Sequence, residues 1–260
     1  SRKIDIMFCP ELNKEFESKA KMFAELKANK KILTLSKKSQ IKTKSNKFNL
    51  DVLDSGTIKA IPNAEDGYKY AVISNTNYLD SHGDVHLNGS MNKTASEQNG
   101  KVYYLADHKM EVDSIIATPK NVDMQMMDLD WKDLGRDYEG KTQALVFKID
   151  ETKLMHEKAA KLMRDKEPMQ NSIRMQYVNI KLAVNSDDED FKEEYKEWSE
   201  VYPKLANKEK ADEMGYFWAV KELKIVNEGS MVLFGSNDAP PVEGKEAVND
   251  DTSYNEPSED

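Results

Sequence analysis

The sequence predicts an α+β protein whose largest part is a mainly β, barrel-like domain surrounded by helices. Three observations predict this class. Segments with strand-like patterns recur between residues 50 and 234, amphipathic helical segments interrupt them, and the apolar residues cluster in the middle of the chain. Apolar residues make up 38% and charged residues 33% of the sequence, so this clustering is what makes a core feasible. At 260 residues, the chain is long enough for one large domain or two small ones.

The first 47 residues are predicted to form an amphipathic helix followed by a basic linker. Residues 11–28 carry apolar side chains at helical spacing, including Leu12, Phe16 and Phe23. Residues 36–47 are rich in lysine and serine, which is the composition of a linker. Residues 1–47 contain 13 Lys and Arg against 5 Asp and Glu. Such a basic arm can bind nucleic acid or an acidic protein surface, or it can be a solvated helix and linker.

Residues 48–242 are predicted to form the main domain. Tyr68, Tyr70 and Val72 occupy alternate positions, which is the period of a half-buried strand. Eight segments have this alternation or a strand-like composition: 50–60, 68–76, 101–107, 114–118, 121–129, 143–149, 172–184 and 216–234.

Two helical segments interrupt these strands. Asp150 can cap a helix that continues to about residue 166. Residues 187–205 form a strongly acidic helix with an aromatic face, and together with its flanks it is predicted to be an insertion over about 186–214. The aromatic residues of that face are Phe191, Tyr195, Trp198 and Tyr202. Residues 243–260 carry 7 acidic residues and one lysine without apolar periodicity, which predicts a disordered acidic tail.

The composition argues against several kinds of site. Cys9 is the only cysteine, so the chain can form neither an internal disulfide nor a thiolate zinc cluster. His82 and His86 have the spacing of two ligands on a helix, but Gly83 and Asp84 between them favour a turn, so we expect no metal site and no cofactor. No apolar run approaches the ~20 residues of a membrane span, and no signal peptide precedes the domain, so we expect a soluble, intracellular protein without a membrane partner.

A serine, a histidine and an acid occupy positions that suggest acyl transfer. This chemistry needs a hydroxyl nucleophile, a base within hydrogen-bond reach, and a group that holds the base in the right tautomer. Ser172 opens a strand directly after a helix, and His108 ends an earlier strand. Glu228 lies in the last strand region. Chain order does not matter for such a triad, because it is defined by geometry.

Four segments, taken in order, resemble the tailed-phage prohead maturation proteases, whose fold is shared with the herpesvirus assemblins. They are Asp80–Val85 with Asn88–Ser90, Leu105–His108, Asn171–Met175, and Val226–Val232 with Gly235–Ala239. They are similar, respectively, to the family's early glycine–aspartate turn, its strand ending in the catalytic histidine, its nucleophile strand, and the end of its domain. The resemblance covers roughly residues 68–242, and it lies in the order of the segments more than in any one of them.

The resemblance implies an assemblin-like fold and a serine endopeptidase. Ser172 would be the nucleophile, His108 the base and Glu228 the residue that orients the imidazole. Glu222 is the rival for the third position, because assemblins use a second histidine there and this chain has none after His156. Arg174 replaces a glycine common in relatives; it can clash with the cleft, point away from it, or donate to the oxyanion as an arginine does in the assemblins.

The resemblance also implies where the protein acts and on what. Its substrates would be the phage scaffold, the major capsid protein and the chain itself, cleaved inside the prohead in the bacterial cytoplasm; it also allows for self-association. The alternative is a catalytically inactive head-assembly or scaffolding protein that keeps the fold and binds partners through the aromatic face and the charged ends. Nucleic-acid binding through residues 1–47 ranks last, because the strands lack interleaved aromatic and basic residues.

Overall fold

Twelve strands and six α-helices make up the described part of the chain in a computed structural model, which comprises residues 6–45, 52–53, 61, 63–134, 136–167 and 169–233. The strands are β1 (Met7–Cys9), β2 (Lys14–Phe16), β3 (Ile41–Ser45), β4 (Val52–Leu53), β5 (Tyr68–Ser74), β6 (Asp84–His86), β7 (Tyr103–Ala106), β8 (Ile115–Ala117), β9 (Val122–Asp130), β10 (Lys141–Asp150), β11 (Gln170–Val184) and β12 (Tyr216–Val232). The helices are α1 (Lys19–Ala28), α2 (Lys30–Ser39), α3 (Asn92–Gln98), α4 (Glu157–Arg164), α5 (Lys192–Val201) and α6 (Lys208–Met214).

The strands form two main sheets and a small hairpin. The larger sheet has the order β3-β11-β12-β7-β8, and β6 pairs in parallel with another part of β12. The smaller sheet has the order β4-β5-β10-β9, and β1 pairs with β2. The fold class is therefore α+β, as predicted. The predicted barrel-like closure is wrong for the described strands, because their sheets remain separate and open.

The two main sheets pack face to face, with β12 of the larger sheet against β5 and β10 of the smaller one. The sheets approach closely at Gly229 of β12, where an added Cβ would lie 2.9 Å from Phe147 Cε2 and 3.0 Å from Ile73 Cγ2. The shared core contains buried residues from both sheets, including Ala71, Ile73, Leu145, Phe147, Ile173, Met175, Ile225 and Met231. One face of β11 and β12 is thus buried against the smaller sheet, and alternate residues point to the opposite face.

The N-terminal region differs from the predicted helix and linker. The predicted helix 11–28 is shorter, since residues 14–16 form β2 and Ser18 caps α1 by accepting a hydrogen bond from the Lys21 amide. The predicted linker 36–47 is wrong over its described part, where residues 36–39 end α2 and residues 41–45 form β3. Three of its lysines pair with buried acids: Lys37 Nζ lies 2.5 Å from Asp84 Oδ1, and Lys42 and Lys44 pair with Asp84 and Asp80.

The two predicted interrupting helices are present with altered boundaries. Asp150 caps only a short 3₁₀ turn, and His156 caps α4 by accepting from the Ala159 amide at 3.1 Å. Between β11 and β12, the predicted insertion contains α5, α6 and short 3₁₀ turns. The predicted tail 243–260 and most of the first strand candidate, 50–60, lie outside the described residues. No helix in the described ranges combines the length and apolar character needed to span a bilayer.

The aromatic face of α5 packs inward, so most of it is not exposed for the partner binding that the alternative function would assign to it. Trp198 is buried and stacks on Phe217 at a centroid distance of 4.9 Å. Phe191 is buried against Phe23. Tyr195 alone among the four predicted face residues is substantially exposed, at 41%.

Candidate active site

His108 follows β7 through two successive residues in the left-handed region of φ. Asp107 has φ 54° and His108 has φ 55°, which is uncommon for residues other than glycine. The turn is fixed by two amides: Asp107 N donates to the Met231 carbonyl at 2.9 Å, and His108 N donates to Ser230 Oγ at 3.1 Å. The sharp turn therefore folds the imidazole back toward β12 instead of continuing away along β7.

Glu228 is presented to His108 by a bulge in β12. The pairing of β11 with β12 passes from Ile173 opposite Gly229 to Met175 opposite Ile225, so β12 contains two more residues than β11 over this stretch. Asn227, inside the bulge, has φ 67°. Bulges of this kind redirect side chains. Glu228 is fully buried, and its Oε1 lies 2.7 Å from His108 Nδ1.

Ser172 lies in the same cross-sheet row as Ser230, a serine two residues after Glu228. It is directly opposite Ser230 in the antiparallel pair β11–β12, and Ser230 in turn pairs with Leu105 of β7. Residues directly opposite in such a pair have Cβ atoms about 4.5–5.5 Å apart on the same face of the sheet. Ser172 and the side chain of Ser230, which contacts both His108 and Glu228, are therefore neighbours.

The two atoms that would exchange a proton are both buried and without a hydrogen-bond partner. They are Ser172 Oγ and His108 Nε2. They therefore do not hydrogen bond to each other in this conformation, although the Nδ1 contact with Glu228 leaves Nε2 as the free nitrogen of His108. Buried polar atoms of folded proteins are almost always paired, so two unpaired ones at a single site are unusual.

Ser230 is a site residue that the sequence analysis did not assign a role. Its Oγ donates to Glu228 Oε2 at 2.6 Å and accepts from the His108 amide. It therefore holds both partners of the His108–Glu228 contact. The spacing of Glu228 and Ser230 was the available signal, because residues two apart on a strand point to the same face.

The structure separates the two candidates for the third position. Glu222 is paired with Lys93 at 3.3 Å, whereas Glu228 contacts the His108 ring. Arg174 lies two residues after Ser172 and its Nη1 reaches the Val226 carbonyl, inside the bulge, at 3.5 Å. In this conformation Arg174 points back along the sheet and supports the bulge.

His82, His86 and Cys9 lie outside the candidate site, and their contacts are with other parts of the fold. His86 is fully buried in β6, with Nδ1 3.3 Å from Ser74 Oγ, and His82 lies in the preceding turn. Over the described residues, no group of three or more His, Cys, Asp or Glu side chains is arranged to hold a metal. Cys9 is buried with Sγ 3.4 Å from the Tyr216 hydroxyl, and this burial raises the pKa of its thiol.

Asp80 and Asp84 form a buried acidic pair beside β11. Asp80 Oδ1 accepts from the amides of His82 and Asp84, both at 2.9 Å, so it shapes the turn between them. Asp84 Oδ2 accepts from the Tyr177 hydroxyl at 2.8 Å. Burial alone would raise the pKa of Asp80, but the Lys44 ammonium and the Asp84 amide outweigh it and hold that pKa well below its ordinary value.

Comparison with known protein families, curated proteins and solved structures finds no match to this chain. The arrangement of Ser172, His108, Glu228 and Ser230 therefore has to be interpreted from its own geometry.

Proposed function

We propose that the protein is a serine endopeptidase in which Ser172 is the nucleophile, His108 the general base and Glu228 the orienting acid. The observation that carries the proposal is the contact of 2.7 Å between His108 Nδ1 and the fully buried Glu228 carboxylate. Near this pair lies Ser172, whose hydroxyl has no hydrogen-bond partner. A buried carboxylate on one imidazole nitrogen is what a catalytic histidine needs to keep the other nitrogen basic.

The chemistry follows from this arrangement. In the tautomer that donates Nδ1–H to Glu228, His108 Nε2 carries the free lone pair and can take the proton of Ser172 as its Oγ attacks a peptide carbonyl. His108 then passes that proton to the leaving amine, and water repeats the sequence to release the acyl group. Glu228 holds the imidazole and stabilises the imidazolium, and Ser230 holds Glu228.

The mechanism requires Ser172 Oγ and His108 Nε2 to come together. Their separation here agrees with active sites whose catalytic hydrogen bonds are long without substrate and tighten when it binds. On the His108 side the backbone is held to β12, because the His108 amide donates to Ser230 Oγ and the Asp107 amide donates to the Met231 carbonyl.

The wider role that we propose is head maturation in a tailed phage, with an assemblin-like fold. The resemblance of the four segments around Asp80, His108, Ser172 and Glu228 supports this role. The substrates would then be the scaffold, the major capsid protein and the chain itself, cleaved inside the prohead in the bacterial host. Self-association belongs to the same proposal.

Self-cleavage and active-site labelling test the proposal together. The purified chain is incubated alone and with a fluorophosphonate probe, and fragments and adducts are identified by mass spectrometry. We expect cleavage and a single adduct on Ser172, both lost in Ser172→Ala. Ser90→Ala is the matched control, because the Ser90 hydroxyl is also buried without a hydrogen-bond partner. Fragments that form at the same rate in Ser172→Ala would contradict the proposal.

A non-catalytic assembly protein that keeps this fold is the second candidate. The observation that favours it is the complete burial of Ser172 together with the missing hydrogen bond to His108. It predicts no adduct and no cleavage under any condition, and binding to scaffold or capsid protein that Ser172→Ala leaves unchanged. Pull-down of purified scaffold with both forms separates the two functions.

A further inference from the structure

Strand β3 lies against the edge of β11 at the candidate nucleophile. The two strands are antiparallel, with Ser45 opposite Ser172 and Ile41 opposite Gln176. On its other side β11 pairs with β12, so β3 covers the only lateral edge of β11 at this point. Without β3, residues 172–176 would present unpaired amides and carbonyls, which is how many proteins bind an extended peptide.

The direction of β3 is that of a substrate approaching the nucleophile. Because the pairing is antiparallel, the chain runs from Ile41 beside Gln176 to Ser45 beside Ser172. A peptide bound in the same way would reach Ser172 with the carboxyl end of its paired segment. The residues that precede a cleaved bond would therefore occupy the place of Ile41–Ser45.

The side chains of β3 alternate between two faces. Lys42 and Lys44 are opposite Met175 and Ile173, so they share the face of β11 that turns away from Ser172. On that face they meet the acidic pair, and Lys44 Nζ lies 3.0 Å from Asp80 Oδ2. Lys42 Nζ lies 3.8 Å from an Asp84 oxygen and 4.9 Å from the centre of the Tyr177 ring.

The two acids differ in how much they depend on β3. Asp84 keeps two other contacts, from Lys37 and from the Tyr177 hydroxyl. Asp80 has Lys44, whose Nζ lies 3.0 Å from its Oδ2, as its only ion-pair partner among the described residues. Lys44 is itself buried, at 8% exposure. A cavity of ≈ 270 Å³ lies between the two acids and β3. Asp80 is thus a buried carboxylate that β3 neutralises.

We propose that Asp80 and Asp84 are a recognition site for lysine side chains of an extended peptide that pairs with β11, and that Ile41–Ser45 of the chain itself occupies this site and blocks it. The proposal rests on the proposed function, and it adds a substrate class: peptides with lysine one and three residues before the position opposite Ser172. The fully buried Ser172 is the expected state of the blocked form. Release of β3 opens the edge of β11 and the acidic site together.

A binding experiment tests the recognition site without requiring activity. The probe is a fluorescein-labelled peptide with the sequence of residues 38–45, and the receiver is the full chain with Ser172→Ala, Lys42→Ala and Lys44→Ala, which weakens the chain's own strand. We expect fluorescence anisotropy to show at least ten-fold tighter binding to the receiver than to the chain with Ser172→Ala alone. Asp80→Asn in the receiver should reverse this gain.

The controls decide between recognition of lysine and unspecific strand pairing. A peptide with alanine in place of both lysines should bind the receiver at least ten-fold more weakly; equal binding of the two peptides overturns the proposal. The proposal is also overturned if the lysine peptide binds equally well to the receiver and to the chain that carries Ser172→Ala alone. If circular dichroism shows that the receiver does not unfold cooperatively, Thr43→Pro replaces it, because proline removes an amide from β3 and leaves both acids in place.

An activity measurement separates this proposal from the proposed function. With Ser172 intact, we expect Lys42→Ala/Lys44→Ala to cleave fluorescein-labelled casein at least ten-fold faster than the unmodified chain does. If the peptide binds in a lysine-dependent way but no cleavage occurs, the proposed recognition site stands and the proposed endopeptidase function is wrong. If cleavage occurs but peptide binding does not depend on lysine, the proposed endopeptidase function stands and the proposed recognition site is wrong.

Discussion

His108 Nδ1 and Glu228 Oε1 lie 2.7 Å apart although the two residues are 120 positions apart in the sequence. Their meeting depends on the parallel pairing of β7 with β12, in which Tyr103 is opposite Glu228. From Tyr103 the chain reaches His108 only by turning back over β12 at Asp107. The contact therefore results from two local distortions, the left-handed turn at Asp107 and the bulge at Asn227.

Glu228→Gln should reduce proteolysis more than it reduces substrate binding. A glutamine amide can face Nδ1 with its nitrogen and favour the wrong imidazole tautomer, so we expect kcat to fall by about 10²-fold or more with KM little changed. Steady-state kinetics on a peptide cleaved by the chain measure both constants. Glu222→Gln is the matched control and should leave kcat unchanged. Equal losses in the two variants would contradict the role of Glu228.

Ser172→Ala and Ser230→Ala should change stability in opposite directions. The Ser172 hydroxyl is buried without a partner, so alanine should leave the free energy of unfolding unchanged or raise it by up to about 1 kcal/mol. Ser230 contacts both Glu228 and the His108 amide, so its loss should cost about 1–3 kcal/mol. Urea unfolding of both variants measures the difference. A large loss in Ser172→Ala would show that its hydroxyl is paired.

Gly229→Ala should destabilise the interface between the sheets next to the candidate site. The added methyl would meet Phe147 and Ile73 at 2.9–3.0 Å, and overpacking of this kind costs about 1–3 kcal/mol. Phe147→Leu removes the nearest ring atoms, so the double variant should lose less than the sum of the single losses. Thermal unfolding of the three variants tests this. If the losses of stability are additive, the clash of the added methyl with the Phe147 ring is not the cause of the destabilisation.

Alternation and strand-like composition predicted the long strands, although most residues of β5, β11 and β12 are buried on both faces. Seven predicted segments, from 68–76 to 216–234, coincide with strands β5 and β7–β12. Strands of three to five residues carry little periodicity, and among them β7 and β8 were predicted whereas β1, β2, β3 and β6 were not. Lys42 and Lys44 in β3 have the sequence character of a solvated linker, and only the fold brings buried acids to them.

The candidate site was predictable as residue types in order, but its geometry was not. The sequence places Ser172 at the start of a strand, His108 at the end of an earlier one and Glu228 within the last strand region, which is sufficient to nominate them. The bulge at Asn227 and the hydrogen bonds of Ser230 depend on the register between β11 and β12, and register is set by tertiary pairing. The choice of Glu228 over Glu222 follows from that register.

His86 should make the protein less stable as the pH falls below neutrality. Burial, followed by Lys44, holds the pKa of His86 well below its ordinary value, with Asp80 opposing and Lys42 adding to the effect. The unfolded chain, whose histidine titrates near pH 6.5, then binds the proton that the folded chain rejects, so stability is complete above about pH 7 and declines below it. Between pH 7 and 5.5 we expect a loss of about 1 kcal/mol from this residue.

Urea unfolding of the unmodified chain and of His86→Gln at both pH values isolates that contribution. The other three histidines of the sequence are present in both proteins, so any effect that they have cancels in the comparison. We expect the loss on acidification to be smaller in His86→Gln by about 1 kcal/mol, even though the variant is less stable at pH 7 because the contact with Ser74 changes. Equal losses in the two proteins would mean that His86 accepts a proton in the folded state, and its surroundings would then have to open on acidification.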